Sequence, residues 1–203
     1  MQTRFLKWEN VKTRETDSGN PEIEGYFAVF GDVYEVWPGV TESIEAGAFS
    51  ESVSQDVRAL YNHNTDVVLG RVSAGTLELR EDSHGLWGRV VINKNDTEAM
   101  NVYERIKRGD ITGCSFGFEI ETERCDVKDD GSVHYTIEKV NPLYEVSPCA
   151  FPAYEQTNVS ARGKDLERIH ERARQAWRDR MHERLKKGAN TDGTQSSDAS
   201  KED

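Results

Sequence analysis

The stretch Gly109-Asp-Ile-Thr-Gly-Cys-Ser-Phe-Gly-Phe-Glu-Ile120 decides the fold class. Before it, Asp96–Lys107 reads as an amphipathic helix. Ala99, Met100, Val102, Tyr103 and Ile106 form one apolar stripe, Asp96 suits the N-cap and Gly109 suits the stop. After it, Phe116, Phe118 and Ile120 recur with the period of a strand. The order is therefore helix, turn, strand, with Ser115 at the strand mouth between Gly113 and Gly117. Residues 113–117 match Gly-x-Ser-x-Gly in form only, because the nucleophile elbow needs a strand before its serine and a helix after it. An α/β-hydrolase is excluded. A serine between two glycines can still be approached closely by a peptide backbone, since glycine adds no side chain there.

Outward from this stretch the chain reads as mostly strand up to residue 161. Glu24–Phe30, Val57–Tyr61, Val67–Val72, Thr76–Arg80, Leu86–Ile92, Ser115–Thr122 and Val133–Val146 are strand candidates. Lys128-Asp-Asp-Gly131 marks a hairpin, and Phe49–Val53 reads as one or two helical turns. Short strands with one or two helices predict a mainly β domain, a small barrel or sandwich with peripheral helices. At Gly163 the chain changes character. Residues 164–187 carry 9 Lys and Arg against 5 Asp and Glu, with Leu166, Ile169, Ala173, Trp177, Met181 and Leu185 near one face. The expected organisation is a domain over 1–163, a charged amphipathic helix over 164–188 and a disordered, polar tail over 189–203.

The net charge of −11 argues against a nucleic-acid binder, which needs a basic face, and suits a basic peptide substrate. The three cysteines are irregularly spaced and predict neither a disulfide framework nor a metal site, so a reducing compartment is expected and no cofactor. No signal peptide and no membrane span are evident.

A serine nucleophile needs a base. Of the five histidines, His63 in Tyr61-Asn-His-Asn64 alone sits between two apolar runs, where a strand end presents it to a cleft. The plain alternative is a loop histidine bonded to Asn62 or Asn64. Glu145 in Leu143-Tyr-Glu-Val-Ser-Pro148 is a lone acid among largely apolar neighbours, and burying it unpaired is costly. It is either the acid behind His63 or half of a structural ion pair, for example with Arg71. Asp66 is a rival third member. A thiol mechanism through Cys114 or Cys149 lacks any visible group to lower a thiol pKa.

Five blocks in order carry a resemblance. They are Gly25-Tyr-Phe-Ala-Val-Phe30, Tyr61-Asn-His63, Leu69-Gly-Arg-Val-Ser-Ala-Gly-Thr-Leu77, Gly109 to Phe118, and Glu145-Val-Ser-Pro-Cys-Ala-Phe-Pro-Ala-Tyr154. Over residues 22–161 the chain resembles the tailed-phage prohead proteases, relatives of the herpesvirus assemblins. The resemblance implies a small closed β-barrel surrounded by helices. It implies a serine endopeptidase acting in the host cytoplasm, inside the viral procapsid, on the scaffolding part of the major capsid protein and on itself. Ser115 is then the nucleophile, His63 the base and Glu145 the third member, although the herpesvirus relatives use a second histidine there. Arg71, Gly113 and Cys114 become candidates for the oxyanion or substrate contacts. The segment after Gly163 becomes a removable targeting or scaffold-binding arm, and self-association is a further expectation. The competing reading is a non-enzymatic assembly factor that holds capsid or scaffold strands by edge addition.

Overall fold

A computed structural model describes residues 1–15, 19–128 and 130–151, with the single positions 171, 175, 178, 181 and 182. Eleven strands and one helix have defined bounds among them: β1 (Gln2–Lys7), β2 (Glu9–Glu15), β3 (Pro21–Val29), β4 (Tyr34–Trp37), β5 (Val40–Ile44), β6 (Arg58–Tyr61), β7 (Asn64–Arg71), β8 (Leu77–Glu81), β9 (Gly85–Val91), α1 (Thr97–Arg108), β10 (Gly113–Val127) and β11 (Val133–Cys149); the five single positions are helical as well. The mainly β class agrees with the sequence. The arm and tail expected over 164–188 and 189–203 lie outside the described residues, those five positions apart.

The helix forms where its caps predict. The Asp96 carboxylate accepts from the N–H groups of Glu98 and Ala99 at 2.9 and 3.1 Å, and Gly109 closes the other end at φ 88°. Phe49–Val53 is instead part of a run of turns. The Ser52 and Val53 N–H groups both donate to the Phe49 carbonyl, at 2.9 and 3.0 Å, which makes one helical turn that does not propagate into a regular helix.

The strands form two sheets. One runs β2-β3-β9-β8. The other runs β1-β10-β11-β5-β4, with β6 on β11 and β7 on β6. The ladders do not close into the single ring expected. The chain leaves β1 at Trp8 and enters the other sheet as β2. Between β10 and β3 the Cys114 thiol donates to the Tyr26 and Phe27 carbonyls at 3.5 and 3.6 Å, a side-chain bridge where a barrel would need a backbone ladder.

The organising element is β11. It pairs antiparallel with β10 along its length, while its other edge pairs in parallel with β5 at residues 133–137 and with β6 at Glu145 and Val146. One face of β10 (Cys114, Phe116, Phe118) enters the main core with Phe27, Phe49, Val57, Val146 and the α1 stripe. The opposite face carries Gly113, Ser115 and Gly117.

Strand β1 is held by a buried ion pair. The Arg4 guanidinium donates to both Glu42 carboxylate oxygens at 2.5 and 2.6 Å, and the Tyr34 hydroxyl donates to the same carboxylate. Removing one partner leaves the other charge buried and unpaired. Glu42→Ala is therefore expected to destabilise the fold by about 3–5 kcal/mol in urea unfolding; a loss under about 1 kcal/mol would contradict a buried pair at this position.

Candidate active site

Ser115 lies in the middle strand of three. It is paired with Phe5 on one side and with Ser147 on the other. Directly paired residues share a face, so Gly113, Ser115 and Gly117 lie beside Cys149, Ser147 and Glu145 in turn. The register shifts immediately beyond Gly117–Glu145, where Phe118 pairs with Leu143 and Tyr144 is the extra residue. This bulge keeps Glu145 beside Gly117 while the strand pairs differently on either side.

His63 comes from the tight turn between β6 and β7, and β6 lies against β11 exactly where Glu145 and Val146 stand. Its Nδ1 lies 2.7 Å from Glu145 Oε1. Since a carboxylate only accepts, the Nδ1–H donates and Nε2 is left with its lone pair free. The second oxygen, Oε2, accepts from the Ser147 hydroxyl at 2.5 Å. The carboxylate is thus buried with both oxygens bonded. A Cβ on Gly117 would lie 2.5 Å from Glu145 Oε1, so the glycine makes the space that the acid occupies.

Two polar atoms here are buried without any hydrogen-bond partner: Ser115 Oγ and His63 Nε2. They are not bonded to each other in this structure. Native folds rarely leave buried polar atoms unsatisfied, and such atoms call for a reason. Here they are a serine hydroxyl and the free lone pair of a histidine whose other nitrogen is fixed by an acid.

Of the remaining sequence candidates, Arg71 and Asp66 lie away from Glu145, while Gly113 and Cys114 adjoin Ser115 on β10. Arg71 does not pair with Glu145. Its Nε donates to Asp56 at 2.8 and 3.0 Å and a terminal nitrogen adds a further bond, which holds the guanidinium two strands away from Glu145 across the β11–β6–β7 ladder. Gly113 and Cys114 are flanked by β1 and β11 on both sides, so their main chain serves the ladder. Asp66 is exposed, and its N–H donates to Asn64 Oδ1 at 3.0 Å in a local turn, while His63 Nδ1 takes Glu145. A second serine–histidine pair exists at Ser43 and His134, 2.9 Å apart, but the other ring nitrogen of His134 faces Thr41 and not an acid.

The thiols are held protonated. Burial pushes the Cys114 thiol well above its ordinary value, and burial with the nearby Glu145 charge pushes Cys149 up to about 12. Cys125 is exposed. Among the described residues no cluster of three or more His, Cys, Asp or Glu is placed to hold a metal, and no helix is long and apolar enough to cross a membrane.

A mainly β domain that holds an acid–histidine pair, with a buried serine on the same strand face as the acid, is compatible with a serine protease. The comparisons agree. Residues 9–172 match the model of the caudovirus prohead serine proteases, and the chain belongs to that family. The prohead protease of Enterobacteria phage HK97 is 26% identical over 163 residues, covering 78% of this chain and 68% of the relative. The bacteriophage T4 capsid assembly protease shares 14% identity at a TM-score of 0.38, over 73% of this chain and 99% of that one, a likeness too slight to carry an assignment. The protein is a serine protease of phage capsid assembly, which sets aside the purely structural assembly factor.

Two outcomes are expected. Gly117→Ala should displace the Glu145 carboxylate and lower the melting temperature, because the new methyl and the buried oxygen cannot share the space; an unchanged melt would show that the carboxylate has room to move. A thiol reagent at pH 8 should modify one cysteine in the folded chain, Cys125, and three after unfolding, since only a thiolate reacts.

Proposed function

We propose that Ser115, His63 and Glu145 are the catalytic triad of a procapsid maturation endopeptidase. The observation that supports this best is the Nδ1–Glu145 hydrogen bond, with Ser115 on the strand face of Glu145 and the two atoms needed for attack, Ser115 Oγ and His63 Nε2, buried and uncommitted. Ser115 Oγ passes its proton to His63 Nε2 as it attacks the scissile carbonyl. The imidazolium that forms is stabilised by Glu145, and its proton goes to the leaving amine as the peptide bond breaks. Water, activated in turn by His63, hydrolyses the acyl-enzyme and frees Ser115. Glu145 fixes the tautomer and ring orientation throughout. The separation of Oγ and Nε2 closes when substrate is bound, as is usual for such pairs.

The substrate in this reading is the scaffolding part of the major capsid protein, cut inside the procapsid, together with the enzyme's own chain. Support comes from family membership and from the kind of protein to which the chain is similar. The charged segment over 164–188 is the arm that docks the protease on scaffold or capsid protein. The acidic body suits a basic peptide.

Ser115→Ala and His63→Ala should each abolish capsid-protein processing in co-expression, read by intact mass. The double variant should lose little more, because triad members act as a unit. Glu145→Gln should slow turnover roughly 10²- to 10⁴-fold. Normal processing by a folded Ser115→Ala protein would end the triad reading.

Removal of residues 164–203 should leave peptidase activity on soluble substrate intact and reduce entry into procapsids. Undiminished packaging would show that this segment is no address.

A further inference from the structure

The turn that carries His63 is tied to the end of a strand far along the chain. Asn62 and His63 both have positive φ, 52° and 60°. Positive φ at both central residues is the pattern of a type I′ turn, which suits the two-residue loop between Tyr61 and Asn64 in the β6–β7 hairpin. The hairpin sets the shape of the turn, and neighbours outside it set where the turn docks. The neighbours belong to the end of β11. The Asn62 N–H donates to the Pro148 carbonyl at 3.1 Å, and the Ala150 N–H donates to Asn62 Oδ1 at 3.0 Å. The third anchor is Ser147, whose Oγ accepts from the His63 N–H at 3.3 Å.

Ser147 is fully buried. A hydroxyl has one proton to give and two lone pairs to accept with. Ser147 directs its proton to Glu145 Oε2 and accepts from the main chain of His63. One oxygen atom therefore links the acid's side chain to the base's backbone, from a position directly opposite Ser115 in the ladder. Without it Glu145 Oε2 loses its donor, the carboxylate is held only through Oε1, and the His63 amide loses its partner. The imidazole then keeps its Nδ1 bond and the Asn62 anchors but loses one of the supports that aim Nε2.

We infer that Ser147 is a positioning residue of this protease, acting through Glu145 and His63 and not on substrate; the inference rests on the triad reading above. Ser147 is not an alternative nucleophile. It meets the main-chain N–H of His63 and not the ring nitrogen that could take its proton, and that proton is already engaged by Glu145.

The test labels the full chain with a fluorophosphonate, which reports activation of the reactive serine without knowledge of the peptide sequence. Ser147→Ala should lower the maximal labelling rate roughly 10- to 100-fold, the scale of a small misplacement of a catalytic group, with the half-saturating concentration unchanged. Ser147→Cys keeps the shape and a weak donor and should fall between wild type and alanine. Ser43→Ala, which removes the other serine–histidine contact, should label at the wild-type rate. The downfield proton resonance of His63 Nδ1–H should be present in wild type and lost or shifted upfield in Ser147→Ala.

Labelling of folded Ser147→Ala within twofold of wild type, with the adduct at Ser115, would overturn the role of Ser147 and leave the triad standing. Undiminished labelling of Ser115→Ala, or an adduct found on Ser147, would overturn the triad and this inference together. Should Ser147→Ala not fold, Ser147→Cys decides: an unchanged rate and an unchanged Nδ1–H resonance refute the inference, and a slowed rate with a shifted resonance supports it.

Discussion

The register of β10 against β11 is the constraint on which the rest depends. It sets Ser115 opposite Ser147 and Gly117 opposite Glu145, and turns Cys114, Phe116 and Phe118 toward the core. Side chains alternate across a strand, so a slip of one residue would exchange the faces. Phe116 would then replace Ser115 on the reactive face, and a hydroxyl would enter the packing around Phe49. The aromatic core and the polar site thus specify each other. Fixing Phe116 against Phe49, with ring centroids 5.5 Å apart, also fixes where the serine points.

The polar site is tolerable because its charge is met by donors. Glu145 is 3% exposed and would be costly alone. His63 and Ser147 satisfy its two oxygens. Glu42, equally buried, is met instead by the two-pronged Arg4 guanidinium. The contrast is chemical. An arginine partner is permanently charged and locks a strand in place. A histidine partner can change protonation state, so the same kind of burial becomes reactive. The thiols nearby act as small apolar neighbours, their ionisation suppressed by the same burial.

Much of this was legible in the sequence. The helix could be read because Asp96 and Gly109 mark its ends chemically. The proximity of His63 and Glu145, and the face that Glu145 shares with Ser115, could be anticipated because each of the three is out of keeping with its neighbours. Strands β1, β2, β4 and β5 were not legible. Gln2–Lys7 reads as polar because Arg4, which looks like a surface residue, points into a buried pair whose other half lies 38 positions away. The role of Arg71 failed for a similar reason, since its partner Asp56 is set by the β6–β7 hairpin and not by local pattern. Ser147 gave no signal, because Ser-Pro reads as a turn, and its two contacts exist only once the His63 turn has docked. A closed ring was inferred from kinship, and no local pattern distinguishes one ring from two sheets.

The docking of the Asn62–His63 turn also has a consequence for timing. The hairpin shapes the turn locally, but the groups that dock it come from Glu145 to Ala150, 82 to 88 positions later in the chain. A ribosome delivers the chain from its N-terminus, so the histidine emerges long before anything that can orient it. Contacts this distant in sequence also form late in folding. A nascent or truncated chain ending before residue 150 therefore holds the serine and the histidine without their geometry. The histidine–acid pair is thus a property of the finished domain and of no shorter stretch of the chain.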